Sequence, residues 1–128
     1  MEHVKSVAGL LEDYRQTLLT MDAHRIEHGG QPVEWNQLVD HLQELQLQLR
    51  ETVEGRTGIS QLLMDDNLTV RQWSASYALA WDPELARAEL ERQVGGGALV
   101  GFEAEITLRE FDAGRLNTTW IPKDTGHH

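Results

Sequence analysis

Residues 62–79 read Leu62-Leu63-Met64-Asp65-Asp66-Asn67-Leu68-Thr69-Val70-Arg71-Gln72-Trp73-Ser74-Ala75-Ser76-Tyr77-Ala78-Leu79. A short apolar turn comes first, and Asp65-Asp66-Asn67 then offers side-chain oxygens to the free amides at the start of a helix. That helix is expected over about Thr69–Ala80. Ser74, Ala75 and Ala78 are small enough to let neighbouring helices approach, while Val70 and Leu79 are placed to fill a core.

The flanking sequence repeats the helical pattern. Downstream, Asp82-Pro83-Glu84 combines a capping carboxylate, a proline whose missing N–H costs nothing in a first turn, and an acid near the positive helix end. It predicts a helix through Leu85, Leu90 and Val94. Gly95-Gly96-Gly97 interrupts the pattern, and a last helix carries Leu99, Phe102, Ala104, Ile106, Leu108 and Phe111 up to Gly114. Its broad apolar coverage implies contacts on two sides. From Arg115 to His128 no period persists, so an extended tail with Trp120 and Ile121 docked is expected, and the pair His127-His128 reads equally as native or as tag residues.

Upstream, Val4, Val7, Leu11, Tyr14, Leu18 and Met21 recur in steps of three and four, which places them on one side of a long amphipathic helix. Gly29-Gly30 is expected to cap it, and Pro32 suits the first turn of the next. The second helix carries Trp35, Leu38, Leu42, Leu45, Leu49 and Val53 on one stripe. Asp40, Gln43, Gln46, Gln48, Arg50 and Glu51 read as solvent-compatible, and Gly55 and Gly58 as its end. No stretch alternates long enough to make a strand, so the fold class is all-α with five or six helices.

The 62–79 segment resembles a HEAT-type repeat, whose pattern is Leu-Leu-x-Asp, a turn, then Val-Arg-x-x-Ala-Ala-x-x-Ala-Leu, with Ser74 replacing the first alanine. Extended through Asp82-Pro83-Glu84 and Glu103-Ala104-Glu105-Ile106-Thr107-Leu108, the resemblance covers about residues 57–114 and is to a bacterial family of small uncharacterised HEAT-like domains. It implies a short right-handed HEAT/armadillo-like stack of antiparallel helix hairpins, with Asp65 and Arg71 as structural partners. The motifs concern packing, so no catalytic residue is carried over. The organisation expected is one domain over 1–128: an N-terminal hairpin at 1–55, HEAT-like helices at 57–114 and a tail at 115–128.

The chain has 128 residues, no cysteine, and 21 acidic against 11 basic side chains, for a net charge of −10. That charge is divided evenly between the halves. A surface of this sign repels phosphate backbones and anionic membranes, which excludes nucleic acid and membrane as first partners. No apolar run approaches a membrane span, the opening lacks a secretory pattern, and a cytoplasmic location is expected.

The sharpest chemical pattern is His24-Arg25-Ile26-Glu27-His28, which matches the His-x-x-Glu-His string of inverted zinc peptidases, with His41 or Glu44 available as a third ligand. It abuts a helix end, where a capping or partly buried histidine pair also explains it. Gly95-Gly96-Gly97 before a helix suggests a phosphate cradle, yet a helix precedes it and no Lys-Ser or Lys-Thr follows, so a plain connection is the simpler reading. Gly58-Ile59-Ser60 lacks the second glycine of a nucleophile elbow. Asp65-Asp66, or Glu103 with Glu105, could form a carboxylate pair, though capping and solvation account for them. No cofactor is expected.

Of the four tryptophans, Trp73 and Trp81 bracket the small-residue helix, eight residues apart, and are candidates for partner contact. The leading expectation is a non-enzymatic interaction module for a protein partner, basic by charge complementarity, with monomer and homodimer both open. An immunity- or antitoxin-like inhibitor of a basic enzyme and a small zinc hydrolase using His24, Glu27 and His28 are the alternatives.

Overall fold

The computed structural model describes residues 5–25 and 29–122. Among them the chain forms six α-helices and one 3₁₀ turn, with no strand, as the periodicities require: α1 (Val7–Ala23), α2 (Pro32–Leu49), α3 (Val53–Gln61), the turn Leu62–Met64, α4 (Leu68–Ala78), α5 (Pro83–Gly95) and α6 (Ala98–Asp112). None of these helices is long and apolar enough to cross a membrane. The chain divides into two compact units, one built from the stretch up to Gly55 together with the stretch from Thr119, the other from Arg56–Thr118.

In the first unit α1 and α2 pack as a hairpin. The Ser6 hydroxyl accepts the Gly9 amide at 3.1 Å and caps α1. Tyr14, Leu18 and Met21, on one side of the helix, are fully buried, as are Leu42 and Leu49 of α2. Each such side chain contributes roughly 1.5–3 kcal/mol by leaving water. Pro32 occupies the first turn of α2, with Glu34 also there.

Two boundaries differ from the sequence reading. Helix α1 stops at Ala23 with His24 as its cap, well short of Gly29-Gly30. The glycines serve the turn instead. Gly29 has φ +87°, the Gly30 amide donates to the Arg25 carbonyl at 3.0 Å, and a Cβ on Gly30 would lie 1.7 Å from the His24 carbonyl oxygen.

Helix α2 ends at Leu49, and Gly55 and Gly58, read as its terminators, lie inside α3. The Thr52 hydroxyl accepts the Gly55 amide at 2.9 Å and starts α3, while a Cβ on Gly55 would meet the Leu49 carbonyl oxygen at 1.8 Å. Glycine is needed there because the new helix begins against the end of the old one. Val53, placed on the α2 stripe by periodicity, consequently stands 70% exposed.

Gln43 and Gln46 also depart from expectation, since both are fully buried. Arg50 donates to the Gln46 side-chain oxygen at 3.1 Å, Gln46 to that of Gln43 at 3.0 Å, and Gln43 to the Trp120 carbonyl at 2.8 Å. This relay fastens the tail where an apolar dock was expected. Trp120 is half-buried, but Ile121 remains exposed and is not docked.

In the second unit α4 packs on α5 and α5 on α6. Asn67 caps α4 as the sequence indicates, its Oδ1 accepting the Val70 amide at 3.0 Å. Asp82 stands at the N-cap of α5, but its side chain makes no capping hydrogen bond. The core joins Leu63, Leu79, Leu90 and Leu108 with Ala75, Ala78, Ala86 and Ala104. Those alanines and Gly101 permit close approach: a Cβ on Gly101 would lie 2.9 Å from the Gln93 carbonyl oxygen. Gly114, with φ +74°, closes α6.

Candidate functional site

The turn before α4 positions Arg71, and the second unit builds a polar cluster around it. Its guanidinium donates to the main-chain carbonyls of Asp65 at 2.7 Å and Asp66 at 3.1 Å, and through Nε to Glu89 of α5 at 3.0 Å. Arg71 and Asp65 are thus brought together through the Asp65 backbone, while the Asp65 carboxylate accepts the Asn67 amide at 2.9 Å. Glu89 is 3% exposed and also accepts from Arg92 and, at 2.8 Å, from the Gln93 amide group. Burial pushes the Glu89 carboxyl up, but the hydrogen bonds from Gln93, Arg92 and Arg71 together outweigh it and hold the group below its ordinary value.

Two guanidinium groups therefore share one buried carboxylate, and Arg71 is held at the same time by the turn that carries Asp65 and Asp66. A cavity of about 300 Å³ opens beside them, bounded by Arg71, Arg92 and Gln93 together with Gly97, Ala98 and Val100 at the start of α6. Gly97, at φ +73° and ψ −161°, is the N-cap and brings no side chain to the amides of the first turn. Ala98 follows with φ +61°, an unusual conformation for a residue with a Cβ. The Gln93 Oε1 atom is buried and has no hydrogen-bond partner among the described residues.

A second feature lies on α6. Leu99, Phe102 and Ile106 are 47%, 57% and 38% exposed, and their spacing of three and four puts them on one side of the helix. Glu103 and Glu105 border this stripe, the exposed Glu105 lying 3.5 Å from Arg109. The contacts expected on two sides of α6 are not both made among the described residues: Ala104 and Leu108 face the core, whereas the stripe of Leu99, Phe102 and Ile106 is left exposed.

The tryptophans take different places. Trp81 is partly buried against the core and donates its indole N–H to the Ser60 hydroxyl at 3.0 Å, so Ser60 is engaged in packing. Trp73 is half-buried, its ring 6.3 Å from that of Tyr77 and tilted by 54°.

The candidate metal string falls partly outside the described residues, which include His24 but neither Glu27 nor His28. A His24 ring nitrogen lies 2.8 Å from the Thr20 carbonyl, and its Nε2 lies 3.9 Å from Glu34. His41 stands 3.5 Å from Asp13. The Asp13 carboxyl is lowered chiefly by the hydrogen bond from Lys5 at 2.9 Å, with His41 assisting against a smaller effect of burial. Among the described residues no group of three or more potential ligands could hold a metal ion.

Sequence reasoning missed Glu89, Arg92 and Gln93. Their i, i+3, i+4 spacing was a local sign of mutual contact, whereas the Arg71–Glu89 bond, across 18 residues, has no local sign.

No protein-family model matches the chain, and no curated protein matches it. Among solved structures, it is similar to the crystal structure of the protein RPA1889 from Rhodopseudomonas palustris CGA009, with a TM-score of 0.77 and 22% identity, covering 88% of this chain and 93% of that one. At that identity the likeness is one of fold. The helical architecture is compatible with a helical repeat.

Proposed function

We propose that the chain is a non-enzymatic, HEAT-like interaction module and that its docking surface for a protein partner is the outer side of α6. The observation that carries this reading is the exposed stripe of Leu99, Phe102 and Ile106 bordered by Glu103 and Glu105. Exposed apolar side chains in register on one helix provide area to bury, and a phenylalanine at the centre suits an anchor. The flanking carboxylates and the net charge of −10 favour a basic partner, such as an amphipathic segment with Lys or Arg beside its apolar side.

The half-buried Trp73 is a second contact candidate under this reading. Trp81, packed on the core and bonded to Ser60, acts mainly in holding the unit together. The test is capture of a partner by the immobilised chain, repeated with Phe102→Asp and across a salt series. Retention of one near-stoichiometric protein that is lost in the variant and weakens as salt rises is the expected result. Retention that ignores both the substitution and the salt would remove α6 as the docking surface.

A further inference from the structure

Resting on the α6 docking surface proposed above, we infer that its occupant is a short amphipathic helix of a partner protein, with Lys or Arg grouped at one end and apolar side chains at the other. The outward side of α6 is not uniform along its length. Over residues 98–102 its exposed side chains are Ala98, Leu99 and Phe102, and this stretch holds no charge. Over residues 103–112 they are Glu105, Ile106, Arg109 and Asp112. The guanidinium groups at this end do not cancel the carboxylates. Glu105 pairs with Arg109 at 3.5 Å, Glu110 with Arg115 at 2.8 Å, and Asp112 with Arg87, which also lies 3.7 Å from Glu91. With Glu103, five carboxylates stand against three guanidinium groups, so a negative excess remains. The surface therefore runs from apolar at the start of α6 to acidic at its end.

That polarity decides between occupants. A second copy of the chain would meet α6 across a two-fold axis. Antiparallel pairing then sets each acidic end on the apolar start of the other copy, and parallel pairing sets acid on acid, so both are unfavourable. The area points the same way. Leu99, Phe102 and Ile106, each about half exposed, offer on the order of 300 Å², against about 800 Å² per partner in a standard interface. An area of that size suits a short segment held weakly. The main-chain groups of α6 are engaged within the helix and leave no edge for an added strand, so a helix packing side chain on side chain is the fitting partner. Covering Ala98–Asp112 at about 1.5 Å per residue takes about 14 residues.

Synthetic amphipathic peptides of that length serve as probes: one with its lysines grouped at one end, one of the same composition with the lysines spread evenly, and one with glutamate in place of the grouped lysines. Each is titrated into the full chain at low ionic strength and followed by amide-resolved NMR. The grouped-lysine peptide is expected to shift Leu99, Phe102 and Ile106 saturably and to bind about fivefold tighter than the spread one, the scale of one or two additional surface ion pairs. The glutamate peptide should not bind. A nitroxide on the lysine end should broaden the amides of Arg109 and Asp112 more than those of Ala98 and Leu99. Glu105→Gln combined with Asp112→Asn, at side chains 53% and 57% exposed and so compatible with an intact fold, should bring the grouped and spread peptides within about twofold of each other. Binding on α6 with equal affinity for these two peptides, binding of the glutamate peptide, broadening centred on Ala98, or an undiminished preference in the double variant would overturn this inference while leaving α6 as the docking surface. No saturable shift on α6 with any peptide would overturn both. Concentration-dependent dimerisation in sedimentation, lost in Phe102→Asp, would overturn it by giving the surface to a second copy.

Discussion

Arg71 donates its Nε–H to Glu89 at 3.0 Å, and this bond ties α4 to α5 at a carboxylate almost entirely removed from water. A buried carboxylate is stable only while its donors are in place. Glu89→Ala removes the acceptor shared by Arg71, Arg92 and Gln93 and is expected to lower unfolding free energy by about 2–4 kcal/mol, read in a urea melt. Arg92→Gln, at the exposed edge of the same cluster, should lower it by less than about 1 kcal/mol.

The same carboxylate makes stability depend on acid. Its folded-state value lies below the ordinary 4.5. Its contribution is therefore complete above that ordinary value and is lost as pH falls from there through the folded-state value. Melts recorded from neutral pH downward should show the unaltered chain losing stability across that acidic window, with a shallower loss in Glu89→Gln. Parallel curves for the two proteins would show that Glu89 is not the group responsible.

Two glycines should respond with opposite sign. At Gly55 a Cβ would lie 1.8 Å from the Leu49 carbonyl oxygen, so Gly55→Ala forces the start of α3 away from the end of α2. A loss of about 2 kcal/mol or more is expected, in the range of backbone clashes that cannot relax through a side chain. At Gly95 nothing lies within 4 Å of the added atom. Gly95→Ala should raise stability by about 0.4–1 kcal/mol through the reduced freedom of the unfolded chain. Thermal melts of both variants check the pair.

The helical class was legible because Tyr14, Leu18 and Met21, or Leu42, Leu45 and Leu49, repeat with the helix period, and burial follows that repeat. The start of α4 was legible because Asn67 acts within three residues of itself. Where the outcome depended on distant partners, composition misled. Gln43 and Gln46 are polar side chains buried because Arg50 and the Trp120 carbonyl complete a relay with them. Gly55 looked like a terminator because glycine often ends helices, whereas its role comes from the proximity of Leu49. In the candidate site, the turn at Asp65 and the side chain of Arg71 stood out in sequence. Glu89 and the cavity did not, because they exist only after α4, α5 and α6 assemble.

The caps offer a paired test. Asn67 and Asp82 look alike in sequence, each an oxygen-bearing side chain just before a helix, yet Asn67 accepts the Val70 amide and Asp82 makes no capping bond. Asn67→Ala is expected to lower stability by about 1 kcal/mol, the usual effect of removing a side-chain cap. Asp82→Ala retains only its loss of charge near the α5 start and should lower stability by about 0.5 kcal/mol or less. Chemical denaturation of the two variants under one set of conditions distinguishes them, and equal losses would contradict the difference in cap geometry.

Gln43 connects the tail to the first hairpin by donating to the Trp120 carbonyl at 2.8 Å while its own oxygen accepts from Gln46. Gln43→Met keeps much of the side-chain volume but removes both functions, leaving the Gln46 donor without that acceptor and the tail without that tie. Stability should fall by about 1–3 kcal/mol, because a buried polar group then loses a partner that water cannot replace. Cleavage near Trp120 in limited proteolysis should accelerate as well, since a segment opens more often when a hydrogen bond holding it is removed. A fall in stability with unchanged cleavage would place the effect at Gln46 inside the hairpin, whereas accelerated cleavage with unchanged stability would place it in the tail.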